Sequence, residues 1–286
     1  MKLAIDTRPP FSFDQTLAFI ARFLPSQAET IITGDSLTGA ITVDGRAHAF
    51  TLRLAVRQRS SSLAADVASP EVARRAGEFI GAADDLRAFY GAAEGDAPFH
   101  ALVRSLWGLH HVRFLGLEDI AVYSVMMQRA PIERATTYKR RFLDRFGHRV
   151  AVGGRTLRAM PSLAELAALE PDDIAAAIGH RPKAKRIAEV VRGVASLGET
   201  FLREAPYDEA KRALLAIPGV GPFSAGAILL RGLGRMDELP SVDMFEREGR
   251  AIYGRAWNPR AIQHRYGDQI GYWSFYLKTG AARLAD

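Results

Sequence analysis

The chain has 286 residues, a formal net charge of +6 and no cysteine, with 48% hydrophobic and 24% charged residues. This composition is globular and excludes a disordered or collagenous chain. The lack of cysteine excludes disulfides, thiolate zinc sites, cysteine-ligated iron–sulfur clusters and thiol nucleophiles together. Residues 1–10 carry Lys2, Asp6 and Arg8 without an apolar run, and no uncharged apolar stretch reaches membrane-spanning length. The expectation is a cytoplasmic protein with no membrane partner.

In chain order, Ser12-Phe13-Asp14-Gln15 reads as a capping box, and Leu17, Phe19, Ile20 and Phe23 continue it at helical spacing up to Pro25. Residues 37–43, then Asp44-Gly45, then Phe50, Leu52, Leu54 and Val56 on alternate positions, predict a β-hairpin with a tight turn. Ser69-Pro70 opens a further helix. The small, polar, turn-rich run 91–98 falls where strand signals stop. It sets the expected domain boundary, with residues 1–95 an α+β domain carrying a small antiparallel sheet and residues 96–286 an all-α domain. Beyond it helical patterns dominate, at 99–107, 117–128, 132–146, 162–169, 172–178, 184–197, 207–216, 222–233, 242–253 and 268–277.

Charge divides along the same line. Residues 1–100 hold ten basic and twelve acidic side chains, so the net positive charge belongs to the second part. Only six of the 38 basic residues are lysine. That skew suits guanidinium forks on phosphate, and it follows equally from an Ala- and Arg-rich, GC-biased coding sequence.

The informative segment is residues 214–225, where Ile217-Pro218-Gly219-Val220-Gly221-Pro222 joins two helices. Glycines at Gly219 and Gly221 allow close backbone approach, so that amides there and at Ser224 can face an anion at the positive end of a helix dipole. The same turn also serves as a tight αα-corner, with Gly219 closing one helix and Pro222 opening the next. Asp243, in Leu239-Pro240-Ser241-Val242-Asp243-Met244-Phe245, follows Gly221 by 22 residues. On its own it reads as a helix N-cap.

Hairpin and carboxylate at this spacing resemble the helix-hairpin-helix DNA glycosylases. Residues 121–129, ending in Gln128-Arg129, the basic start Lys183-Ala184-Lys185-Arg186 and the Pro9-Pro10-Phe11 segment are similar to one branch of them, DNA-3-methyladenine glycosylase II. The resemblance covers almost the whole chain, closely at 214–250 and loosely elsewhere. It implies a monomeric enzyme that binds double-stranded DNA containing damaged bases and releases alkylated purines such as 3-methyladenine and 7-methylguanine, with Asp243 as the catalytic carboxylate. It further implies Phe223, Phe13, Gln269 and Tyr272 around the base, DNA contacts from Gly219, Gly221, Ser224, Gln128 and Arg129, and no iron–sulfur cluster. The family binds a structural Na or K ion on hairpin carbonyls, here those of Leu215, Ile217 and Val220. Phe223 stands where lyase-competent relatives carry a Schiff-base lysine, which implies a monofunctional enzyme, and Gln269 stands where the branch has a pocket aromatic. A glycosylase for deaminated or oxidised bases, and a DNA-binding protein without turnover, are the alternative readings. His110-His111 lacks a third ligand at usable spacing, so no catalytic metal is expected.

Overall fold

The computed structural model describes residues 1–55 and 62–284. Its strands are β1 (Lys2–Asp6), β2 (Thr30–Thr33), β3 (Ser36–Val43), β4 (Arg46–Leu54), β5 (Ser62–Val67), β6 (His148–Val152) and β7 (Arg155–Ala159). The helices are α1 (Phe13–Arg22), α2 (Pro70–Phe79), α3 (Arg87–Glu94), α4 (Ala97–Ser105), α5 (Leu117–Met127), α6 (Ile132–Phe146), α7 (Leu163–Ala167), α8 (Pro171–Ile178), α9 (Arg181–Leu197), α10 (Glu199–Glu204), α11 (Tyr207–Leu215), α12 (Pro222–Ala227), α13 (Glu246–Tyr253), α14 (Pro259–Tyr266) and α15 (Ile270–Leu284).

The first five strands form one antiparallel sheet in the order β1-β5-β4-β3-β2. The predicted hairpin is β3–β4, closed by Asp44 and Gly45 with φ of 51° and 70°, the pair of positive values that matches the twist of the strands. Phe50 and Leu52 are fully buried as the alternation requires, Leu54 emerges at the strand end, and Val56 lies outside the described residues. Ser12 caps α1 by accepting the Gln15 amide, but the box is not reciprocal, because the Gln15 side chain donates to the Ser105 carbonyl instead. Ser69 caps α2, whose Pro70 starts the helix without an orphaned amide.

The second part departs from the all-α expectation at one place. Residues 148–159 form the ribbon β6–β7, turned by Gly153-Gly154 with φ of 55° and 75°. The glycine pair supplies the two left-handed positions that a two-residue turn needs, and Leu157 and Ala159 close a small apolar patch with Ala40 of the sheet. A helical reading cannot survive such a turn.

Three larger cores organise the rest. One lies between the sheet, α1 and α2; one is built on α5, α9 and the hairpin helices; the third joins residues 86–109 to 236–277, so its packing runs across position 95. The third core holds a buried polar cluster, in which Asp96 accepts from the hydroxyls of Tyr253 (2.7 Å) and Tyr266 (2.8 Å) while Trp273 donates to Tyr253 (2.9 Å). A second buried cluster ties the first part to the helices. Lys139 of α6 donates to Asp119 of α5 (2.8 Å), to Glu29 between α1 and β2, and to the Pro25 carbonyl (2.7 Å). Among the described residues, no helix is long and apolar enough to cross a membrane.

Candidate active site and nucleic-acid interface

A cavity of about 470 Å³ opens where these cores meet, within the range of small-molecule sites. Its walls come from α1 and its C-cap (Phe19, Phe23), from Phe114 just before α5 and Tyr123 within it, from the hairpin (Phe223) and from α15 (Phe275). Phe19 and the C-cap Phe23 stand four residues apart at the end of α1 and stack with centroids 5.6 Å apart. Phe223 is 42% exposed and Met244 49%, which puts both on the open side.

Asp243 lies between Pro240 and Met244, both of which line the cavity. It is exposed. Its amide donates to Ser241 Oγ at 3.1 Å, and that hydroxyl donates on to Asp243 Oδ2 at 3.2 Å. Ser241, not Asp243, is therefore the cap of the short turn Val242–Phe245 that leads into α13. Asp243 itself is not among the residues lining the cavity, but its neighbour Met244 is.

The structure does not bring three of the expected pocket residues to the cavity. Phe13 is 2% exposed and belongs to the sheet core, where burying a ring contributes about 1.5–3 kcal/mol. It faces the sheet because it lies six residues before Phe19, on the other side of α1. Tyr272 is buried against Phe89 and donates to Asp84 Oδ2 at 2.6 Å, with burial and that carboxylate holding its phenol well above the ordinary range. Gln269 bonds its neighbour Asp268 at the solvent edge. Residues that sequence reasoning missed take their place: Phe19, Phe23, Phe114, Phe275 and Arg231. The one local signal for them was the i, i+4 aromatic pair at the end of α1.

The hairpin joins α11 to α12. Gly219 has φ of +89°, a conformation for which glycine is suited, and a Cβ there would touch Arg186 and Val190. Gly221 has φ of −102° and open space around its Cα, so its requirement is not internal. Amides at the first turn of a helix lack intrahelical acceptors, which leaves those of Phe223 and Ser224 available at the start of α12. The Ser224 side chain is buried and occupied, because Gln128 Nε2 donates to it at 3.1 Å and to the Gly219 carbonyl at 2.9 Å. Gln128 thus clamps the hairpin from the end of α5.

Lys183 is also turned inward. Its ammonium donates to the carbonyls of Val125, Met126 and Gln128, closing α5 at the negative end of its dipole. Arg129 follows, exposed and with φ of +51°, one of two non-glycine residues among those described with positive φ. A left-handed arginine costs about 1–2 kcal/mol, and the result is a side chain that leaves the helix end beside the hairpin. His110 sits between the carbonyls of Gly81 (2.7 Å) and Pro10 (2.9 Å). Among the described residues, no group of three His, Asp or Glu is placed to hold a metal ion.

Residues 122–261, from α5 to α14, match the HhH-GPD superfamily of base excision DNA repair proteins. The chain is similar to a Mycobacterium tuberculosis protein described as a probable bifunctional transcriptional activator/DNA repair enzyme AlkA, 28% identical over 205 residues that make up 65% of this chain and 38% of that protein. It is also 26% identical to a Bacillus subtilis DNA-3-methyladenine glycosylase over 165 residues, 57% of this chain and 54% of that one. The chain therefore spans well under two thirds of the length of these relatives. In fold it is similar to the 3-methyladenine DNA-glycosylase of Archaeoglobus fulgidus, with a TM-score of 0.78 at 20% identity over 96% of both chains. The segment that holds the hairpin and the carboxylate after it thus resembles the helix-hairpin-helix superfamily of base excision DNA repair proteins, and the overall architecture is similar to that of a known member.

Proposed function

We propose that the protein is a monofunctional DNA glycosylase that hydrolyses the N-glycosidic bond of damaged purines, 3-methyladenine and 7-methylguanine among them. The observation that carries this reading is the exposed Asp243, next in the chain to Met244 of an aromatic-walled cavity beside the hairpin. A base inside a duplex is out of reach and must rotate out, at a cost of a few kcal/mol that is lower for damaged pairs. Phe19, Phe23, Phe114 and Phe275 offer ring faces to such a base. As the bond breaks the sugar gains oxocarbenium character, and the Asp243 carboxylate stabilises it while water adds to C1′.

The other hairpin residues fit a grip on the phosphate backbone. Amides of the turn bind phosphate without reading bases, Gln128 keeps the turn in shape, and Arg129 is the side chain that fills the space left by the rotated nucleotide, stacking on its neighbours. The carbonyls of Leu215, Ile217 and Val220 are neutral oxygens of the kind that would hold an alkali ion. That of Ile217 already accepts the Val220 amide at 3.1 Å and keeps a second lone pair. Such an ion would supply positive charge at the hairpin.

Phe223 has no amine to attack C1′, so the product is an intact strand with an abasic site. Incubation with methylated duplex tests this: free methylpurines without strand cleavage and without borohydride-trapped adduct are expected, whereas trapping at high yield contradicts a monofunctional mechanism. The grip has its own test. Because Gly221 has room and an ordinary φ, Gly221→Asp is expected to fold normally yet bind duplex of every sequence more weakly, through like-charge repulsion. An unchanged Kd at moderate salt would make the turn a purely structural corner.

A further inference from the structure

The cavity walls are apolar, but its charged lining residues are Arg22, Arg231 and Lys278, all cations, and among the described residues no carboxylate lines it. Arg22 and Lys278 are exposed. Arg231 stands deeper, on the π-helical turn Ile228–Gly232 that continues α12, a local widening found often at functional positions. Its guanidinium lies 5.0 Å from the ring centre of Phe23, 5.8 Å from Phe275, 5.9 Å from Phe19 and 6.0 Å from Phe114. Among the described residues no carboxylate pairs with it. The nearest polar group is His111, 3.2 Å away through Nε2, whose imidazole burial and the neighbouring arginines hold well below its ordinary value, so that it stays neutral and accepts. Burial pulls Arg231 down to about 10, which leaves it charged at neutral pH.

A cation withdrawn from water without a counter-charge is costly, and ring faces return only part of that cost. It also opposes a positively charged base in the same cavity. We propose that Arg231 is a specificity-determining residue that receives the negative charge developing on the departing base, and so extends the pocket to neutral purines bearing an exocyclic carbonyl. The proposal rests on the glycosylase reading above and deepens it.

The electron balance shows why the two lesion types differ. When the bond from C1′ to the purine nitrogen breaks, its electron pair stays on the base. The oxygen of a water then bonds to C1′, and the proton it loses passes to the Asp243 carboxylate and on to solvent. An N-alkylated, cationic purine leaves as a neutral molecule. A neutral purine leaves as an anion, whose carbonyl and ring nitrogen suit the fork of a guanidinium. For the cationic lesion Arg231 weakens binding of the ground state, and the repulsion is relieved as the bond breaks, so kcat/KM changes little. For the neutral lesion it stabilises the transition state alone, which appears in full in kcat/KM.

The test compares kcat/KM on duplexes carrying hypoxanthine and 7-methylguanine for the wild type, Arg231→Met and Arg231→Lys. Methionine fills similar space without the charge, and apolar replacement of a buried ion is often tolerated; melting temperature checks this. Arg231→Met is expected to lose on the order of 10² to 10³ on hypoxanthine, the usual effect of removing one such charge partner, while on 7-methylguanine its KM falls and kcat/KM stays within about tenfold. Arg231→Lys restores part of the loss on hypoxanthine and gives the same reading if the methionine variant fails to fold. Equal losses on both lesions in a folded variant, or a wild type that releases 7-methylguanine but no hypoxanthine, would overturn the role of Arg231. A wild type that releases neither would overturn the glycosylase reading along with it.

Discussion

Asp243→Asn is expected to lower the single-turnover rate of base release on the order of 10² to 10³ or more, the scale for losing one preorganised charge at a transition state. The substitution is well suited to isolating charge. Asp243 is exposed and sits in no core, and its side-chain contact is with Ser241 Oγ, which an amide oxygen keeps. The melting temperature should therefore not move. Removing a negative charge that faces polyanionic DNA should leave affinity equal or tighter. Unimpaired release with weakened binding would make Asp243 part of the turn and nothing more.

The largest effect on stability is expected at Lys139, which is buried with Glu29 and Asp119. Lys139→Met leaves Glu29 and Asp119 buried without their cation, and breaking such a cluster costs about 3–5 kcal/mol. Its ammonium also lies 5.3 Å from the ring centre of Phe114 and 5.9 Å from that of Tyr123. Both rings line the base cavity, so the cluster supports that wall. The pH dependence has a definite sign. Burial, reinforced by Asp119, raises the Glu29 carboxyl from 4.5 to about 8. Its folded value exceeds its unfolded one, so the folded protein binds the extra proton, and stability falls as pH rises from about 4.5 to about 8. The deficit of Lys139→Met should be larger at pH 8.5 than at pH 5.5, where protonation replaces the missing charge. A deficit independent of pH in denaturant titrations would mean that Lys139 contributes packing alone.

What the sequence made legible was local. The hairpin, its glycines and Asp243 lie within 30 consecutive residues, and their spacing carries the resemblance to the glycosylase superfamily. The β3–β4 hairpin was readable for the same reason, from Asp44-Gly45 between alternating residues. The cavity was not, because its walls converge from α1, α5 and the segment before it, the turn after α12 and α15, and no periodicity records which faces meet. Phe13 and Phe19 share one helix, yet one faces the sheet and the other the cavity. Tyr272 is an aromatic of the expected kind, three residues before the wall residue Phe275, but its hydroxyl is committed to Asp84. Charge misled in the same way: Lys183 reads as part of a basic helix start and instead closes α5. Gln128 reads as a DNA contact, whereas its amide is spent on Gly219 and Ser224.

The most direct test of the central claim is chromatographic identification of the bases released from alkylated duplex DNA by the wild-type chain, run beside Asp243→Asn. The account predicts free 3-methyladenine and 7-methylguanine from the wild type, an uncleaved strand that breaks only on later treatment of its abasic sites, and little release by the variant despite intact DNA binding. Binding by both proteins with no base released by either would contradict it and leave a helix-hairpin-helix DNA-binding protein without turnover.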